Sequence, residues 1–383
     1  MPDQPFVIGV DIGGTKIKAG AVAVGHDHDE VAVRIIASRH VATPRAEPAA
    51  FYDAVAALVG EVRRGVSEAH QRFLPLVAVA HPGRFLSDGR LARGTTPNLG
   101  TSPGQFDGLC PARELERRLQ CPVIAENDAV AQMRFGVDAL LREPAVRPHL
   151  LGETVVYLGP GTGMGGGVAH VGTDGAVTTL TDGHLFDMQV PGVGDGTLTA
   201  EEIFTGPAIA RRVAEANAGL AHPIDPPRGG RLDEILAEPD APAEHRATAE
   251  SIADEYGGIL ACLIRAIYHG TIVKVRLDAA PGGRLIRHVD EPDRAWSAAD
   301  REAVRGVRRF LFGGFIGCSS RLGARIRRRA LELLRHQGLA DLAIFQIPVD
   351  SAEAGLLGIV YAVPANRIRE LLQTRSLGSE RFS

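Results

Sequence analysis

The chain has 383 residues, 45% hydrophobic and 23% charged, with a formal net charge of −4. That length exceeds one ordinary core and sets an expectation of two domains, while the near-neutral balance gives no reason to expect nucleic acid or an acidic membrane surface as a partner. Four cysteines, Cys110, Cys121, Cys262 and Cys318, lie far apart without CxxC spacing, which argues against a disulfide framework or a cysteine-based zinc site.

The opening MPDQPFVIGVD has neither the basic segment nor the long apolar core of a signal peptide, and no stretch reaches the roughly 18 apolar residues of a membrane span. A soluble, cytoplasmic protein is expected. Residues 6–24 then alternate apolar positions on either side of Gly13-Gly14-Thr15-Lys16, the pattern of a β-hairpin. Glycine at the tip lets backbone N–H groups converge on an anion, and Asp11 at the end of the first strand is placed to hold a cation beside it. The pairing points to a nucleotide-phosphate and Mg²⁺ site, although a plain tight hairpin with an acid capping its turn has the same pattern.

Residues 31–38 read as a further strand. Phe51, Val55, Leu58, Val59, Val62 and Val66 fall at helical spacing, and 74–80 is a short buried strand ending in His81-Pro82-Gly83. A loop-rich stretch, 87–108, holds Thr95-Thr96-Pro97-Asn98. Residues 111–119 are helical, with proline at a tolerated first-turn position, and the strand 122–125 runs into Glu126-Asn127-Asp128. A carboxylate there is either a helix cap or a general base that takes the proton from a hydroxyl attacking a phosphoryl group, with Asn127 fixing a neighbouring hydroxyl. The order is that of an α/β chain with its reactive residues at strand ends.

A helix at 133–141 leads to residues 154–171, which repeat the opening logic of strand, glycine-rich turn and strand, so an internal duplication is expected. Gly161-Thr162-Gly163-Met164-Gly165-Gly166 matches GxGxxG literally. A dinucleotide fingerprint needs a helix straight after the turn, whereas Gly167-Val168-Ala169-His170-Val171 is strand-like; a second phosphate-cradling hairpin fits better. Residues 206–218 and 247–268 are helical. Between them, 221–244 is rich in Pro, Gly and charge and reads as a surface insertion; 270–305 reads as a loop or small arm. A strand at 309–312 meets Gly313-Gly314. A helix at 320–336, a strand at 342–347, a helix at 350–363 and a short last helix at 366–374 complete the chain.

Taken together, DIGGTKIKAG, ENDAVA and GPGTGMGGGVAHVG, in this order, resemble the ROK family of sugar kinases and repressors within the actin-like ATPase superfamily. Thr205-Gly206-Pro207-Ala208-Ile209 is similar to the family's SGPAI stretch, and Phe312-Gly313-Gly314 with residues 354–358 resembles its adenosine-site glycines. The resemblance spans residues 6–363. It implies a two-domain α/β fold of the actin-like (ribonuclease H-like) type with the active site in the interdomain cleft. A small N-terminal domain, 1–130, would be joined by a C-terminal helix at 364–383, and 131–363 would form the large domain. By the same resemblance Asp11 positions Mg²⁺, and Gly13, Gly14, Thr15 and Lys16 lie near the ATP phosphates. Gly161, Thr162 and Gly163 hold their other side, and Gly313 and Gly314 line the adenosine site. Asp128 becomes the catalytic base, with Asn98 and Asn127 as substrate ligands.

The family's Glu-x-Gly-His stretch, which contacts sugar and supplies a zinc ligand, reads Thr181-Asp182-Gly183-His184 here. Its second sugar-binding glutamate aligns with Glu201. Two departures follow. The cysteine-rich zinc loop is absent, since residues 187–199 hold no cysteine, so no zinc is expected and His184 falls to a sugar hydroxyl or to packing. Thr181 lacks the carboxylate acceptor, with Asp182 next to it. The acceptor therefore stays open between a hexose, an amino sugar and a C7 cyclitol. The reaction implied is transfer of the ATP γ-phosphoryl group to a primary hydroxyl by a homodimer, with no nucleic acid or membrane partner. Two rivals are a non-catalytic sugar-binding protein and a sugar-responsive regulator; the family's regulators carry a helix-turn-helix before the first hairpin, which here begins at residue 6.

Overall fold

In a computed structural model of the chain, β1 (Pro5–Ile12) and β2 (Lys16–Asp27) pair antiparallel from Phe6↔Ala23 to Ile12↔Ile17, closing the first hairpin around residues 13–15. The structure describes residues 5–27, 30–67, 72–96, 99–102, 104–181, 188–194, 196–273, 276–279, 285–288, 298–347, 351–363, 367–368 and 370–371. β3 (Glu30–Ala42) adds antiparallel to β2. After α1 (Pro48–Ser67), β4 (Arg72–His81) joins β1 in parallel; after α2 (Pro111–Leu119), β5 (Val123–Asn127) joins β4 in parallel and runs straight into α3 (Asp128–Leu141). The sheet order is β3-β2-β1-β4-β5.

Strand periodicity sorts the side chains onto two faces. Phe6, Ile8, Val10 and Ile12 pack with Phe51, Val55 and Leu58 of α1, while Val7, Leu74 and Leu76 face the other way.

The second half opens with β6 (Thr154–Pro160), β7 (Met164–Val171) and β8 (Val177–Thr181), each antiparallel to the one before. Helices follow: α4 (Ala200–Ile203), α5 (Gly206–Asn217), α6 (Gly229–Ala237) and α7 (Ala243–His269). Next come a two-stranded ribbon, β9 (Arg276–Ala279) with β10 (Leu285–His288), and α8 (Ala298–Val304). β11 (Arg309–Phe312) joins β6 in parallel, then α9 (Gly314–Gly317) and α10 (Leu322–His336) precede β12 (Ala343–Gln346), parallel to β11. The order β12-β11-β6-β7-β8 repeats the first sheet: an antiparallel three-strand run at one side, two parallel strands at the other. The expected duplication is present in the topology.

The chain divides into a unit of residues 1–135, 278–286 and 352–383 and a unit of 136–277 and 287–351. α11 (Ser351–Tyr361) thus lies almost wholly in the first unit. Its Ile359 and Val360 are buried with Val7, Val22 and Ala78 on the back of the first sheet. Two expectations change. Residues 221–244 are not merely a surface insertion, because α6 buries Leu232 and Ile235 completely. Two such side chains are worth roughly 3–6 kcal/mol, enough to hold a short helix between proline-rich flanks. And α3 starts at Asp128, five residues earlier than its apolar periodicity indicates.

Candidate active site

In the first unit β1, β4 and β5 run parallel and end level, with Asp11 opposite Ala80 and His81 opposite Asn127. Their carboxyl ends bring Asp11, His81, Asn127 and Asp128 to one edge of the sheet, where open α/β sheets bind ligands. Asp11 is half-buried and has no hydrogen-bond partner among the described residues. Burial pushes its carboxyl up to about 6, against the opposing charges of Lys18 and Lys16. α11 approaches so closely that a methyl at Gly355 would overlap this carboxyl. Among the described residues no three His, Cys, Asp or Glu side chains group to cage a metal. A lone uncommitted carboxylate is nevertheless a donor set that suits Mg²⁺, which keeps most of its water and takes the rest of its shell from phosphates.

The hairpin tip divides its labour in a way the sequence does not show. Gly13 N–H donates to Lys16 O (2.9 Å), and the Gly13 carbonyl accepts from Thr43 Oγ1 (2.6 Å), so Gly13 closes the turn. The next two amides, Gly14 and Thr15, take no partner among the described residues and are the ones left to meet an anion. Lys16 beside them is exposed.

At the start of α3, Asn127 Oδ1 accepts from the N–H groups of Ala129 (3.0 Å) and Val130 (3.2 Å), and Asn127 Nδ2 donates to Gly83 O (2.9 Å). The helix cap is therefore Asn127. Asp128 Oδ1 accepts from Ala129 N–H at 2.9 Å, and its other oxygen has no partner among the described residues. Burial, reinforced by the charge of Asp11, pushes the Asp128 carboxyl up to about 7. That is where a general base works best at neutral pH. Behind it, fully buried His81 shares a proton network: Nδ1–H donates to Pro82 O (2.6 Å) and Nε2 accepts from Tyr52 O–H (3.2 Å). Burial drives the imidazole down to about 4, so it is neutral, and it sets the Pro82–Gly83 turn to which Asn127 is tied.

The second unit builds a matching tip. Gly161 N–H donates to Gly163 O (2.8 Å), closing the turn, while the Thr162 and Gly163 amides have no partner among the described residues. The segment at the α4–α5 junction grips both ends of this tip. Gly206 N–H donates to Gly161 O (2.7 Å), and Glu201 Oε2 accepts from Met164 N–H (2.7 Å). Burial raises the Glu201 carboxyl above its usual range, and the Met164 bond opposes that. Gly314 has φ +64°, and a methyl there would collide with the backbone of Gly159 and Pro160, so only glycine lets α9 start so close to the loop. Gly313 N–H donates to Leu158 O at 2.9 Å.

Of the residues picked from sequence, Asp11, Gly13, Gly14, Thr15, Lys16, Asn127 and Asp128 meet at the edge of the first sheet. Gly161, Thr162, Gly163, Glu201, Gly313 and Gly314 meet at the edge of the second. Asn98, Asp182 and His184 lie outside the described residues; Thr181 ends β8, with its side chain outside them too. His81 and the Met164 amide are not among the residues singled out in the sequence; Gly355, which resemblance groups with the adenosine-site glycines, lies against Asp11. His81 carried a signal, as a polar residue closing a buried strand beside Pro82-Gly83.

The ROK family profile matches residues 7–237, more than half of the chain. The chain belongs to the ROK family. Searching curated proteins returns no match. Among solved structures, a ROK hexokinase from Thermus thermophilus is 22% identical with a TM-score of 0.54, covering 95% of this chain and 99% of its own. A ROK glucokinase from Streptomyces griseus, in complex with glucose and AMPPNP, is 20% identical at TM-score 0.56, covering 92% and 97%. A ROK transcriptional regulator described as a homologue of the E. coli MLC protein is 14% identical at 0.62, covering 94% and 78%. This ROK protein therefore has the actin-like ATPase fold, one that its relatives use for sugar phosphorylation and for regulation alike.

Proposed function

We propose that this ROK protein is a kinase that transfers the γ-phosphoryl group of ATP to a primary hydroxyl of a hexose or hexose-like acceptor. The observation that carries this reading is Asp128: a half-buried carboxylate with one oxygen uncommitted, pushed up to about 7, at the strand ends that also hold Asp11. A protein that only binds sugar has no need of a base so placed, which favours the kinase over the regulator reading.

Phosphoryl transfer asks mainly for positioning and charge neutralisation. The uncommitted amide pairs, Gly14 with Thr15 and Thr162 with Gly163, are the phosphate donors in this reading, and Gly313 and Gly314 line the adenosine side. Mg²⁺, when bound at Asp11, supplies charge neutralisation at the phosphates. Asp128 accepts the proton of the acceptor hydroxyl as its oxygen bonds to the γ-phosphorus and the bond to the β-phosphate oxygen breaks, releasing ADP. Asn127, anchored through Gly83 and the start of α3, keeps one amide N–H for a neighbouring acceptor hydroxyl. Asn98, Thr181, Asp182, His184 and Glu201 complete the acceptor site by resemblance. The Glu-to-Thr181 change leaves an amino sugar or a C7 cyclitol beside plain hexoses as candidates.

The test is Asp128→Asn. It keeps the oxygen that accepts from Ala129 but removes the base. Turnover is expected to fall by about 10³ or more, with AMPPNP affinity held within about threefold. Near-wild-type turnover would overturn the assignment.

A further inference from the structure

We propose that Glu201 is a positioning residue for the nucleotide, holding the β6–β7 tip through Met164 in the shape that presents the Thr162 and Gly163 amides. This rests on the kinase reading and adds to it, since resemblance gives Glu201 only to the acceptor.

The tip is three residues long, Gly161 to Gly163, and its own turn bond uses Gly161 N–H and Gly163 O. Met164 N–H, where the chain re-enters β7, has its partner in Glu201 Oε2 at 2.7 Å. The carboxylate also lies against the loop backbone: a methyl at Gly163 would stand 3.2 Å from both Glu201 oxygens. Glu201 is itself held, because Thr205 Oγ1 donates to its carbonyl at 3.2 Å and Gly206, one residue on, grips Gly161 O. Residues 201 and 206 thus fasten the tip at its two ends. A charge-assisted bond to a backbone N–H is among the stronger ones a protein makes. Without it a glycine-rich tip with two unpaired amides has little to hold its shape, and the amides must be ordered each time an anion binds.

The sign of the effect separates this role from simple electrostatics. A carboxylate beside a phosphate site repels the ligand, so deleting its charge alone tightens nucleotide binding. Deleting a brace weakens it. The experiment is calorimetric titration of the full chain with MgAMPPNP, without any acceptor, for wild type, Glu201→Ala, Glu201→Gln and Glu202→Ala. Glu202 caps the same helix, accepting from Thr199 N–H at 2.9 Å, and serves as the control for general loosening of α4. Expected are a loss of about tenfold in Glu201→Ala, affinity within about threefold of wild type or tighter in Glu201→Gln, which keeps an oxygen for Met164, and no change in Glu202→Ala.

Wild-type or tighter binding by folded Glu201→Ala overturns the brace, as does an equal loss in Glu202→Ala. If Glu201→Ala does not fold, Gly163→Ala displaces the carboxylate from the loop side; it is expected to weaken binding, and unchanged affinity there overturns the proposal. Failure of wild type to bind MgAMPPNP at all overturns the kinase reading itself, an outcome distinct from a brace that proves dispensable.

Discussion

Asp128 meets two demands that pull against each other. Catalysis wants an anion with an open oxygen, while folding wants a buried side chain without charge. In the folded chain its carboxyl sits at about 7 against an ordinary value of 3.8. Between those values the native state holds a proton that the unfolded chain has lost, so this residue's contribution to stability falls as pH rises from about 4 to about 7. Asp128→Asn removes that penalty. In Mg²⁺-free buffer at pH 8 it is expected to raise the unfolding free energy by about 2 kcal/mol, with the gain vanishing near pH 4. Chemical denaturation at the two pH values checks this; equal or lower stability at pH 8 would show that the native carboxylate is well solvated or paired. The rate has the opposite slope, because a base must be ionised: turnover should drop as pH falls through the Asp128 range.

Asp11 is legible in sequence because an apolar run that stops at an acid marks the end of a strand, whereas the choice of Asp128 within Glu126-Asn127-Asp128 comes from the family resemblance. The role of Gly13 and the bond from Glu201 to Met164 are not legible in sequence. The first depends on which amide closes the turn, and the second joins residues 37 apart whose meeting is set by the fold.

Elements with a strong repeating pattern were readable, and those shaped by their neighbours were not. α1 shows its buried stripe openly, and the two glycine hairpins announce themselves by alternation around the tip. α6 buries only two large side chains, so its periodicity is lost among prolines, glycines and charges. The first turn of α3 is dictated by the Asn127 cap rather than by apolar residues. α11 was readable as a helix, but its place was not, because that place rests on glycine. Gly355 lies against Asp11, and a methyl at Gly358 would overlap the Ala131 carbonyl in α3. Gly358→Ala should therefore destabilise the first unit by about 1–3 kcal/mol despite alanine's better helix propensity. Urea unfolding measures it. A neutral or stabilising result would mean that α11 stands further from α3.

At the scale of the whole molecule the chain uses one plan twice. Each unit has a five-stranded sheet of the same order, and each hairpin tip has two consecutive amides, Gly14–Thr15 and Thr162–Gly163, without a partner among the described residues. Residues 187–199 hold no cysteine, and position 181 is a threonine, where the family resemblance places a glutamate. Metal analysis of the purified chain is accordingly expected to show no stoichiometric zinc, and a one-to-one content would mean that other ligands replace the loop.

The central claim is that ATP is spent on a sugar-like hydroxyl. It is tested most directly by following ADP release from MgATP across a panel of glucose, mannose, amino and N-acetylated hexoses and C7 cyclitols. At least one acceptor is expected to stimulate ADP release well above the acceptor-free rate, and the stimulation should vanish in Asp128→Asn. ADP release that no member of the panel stimulates would contradict the account.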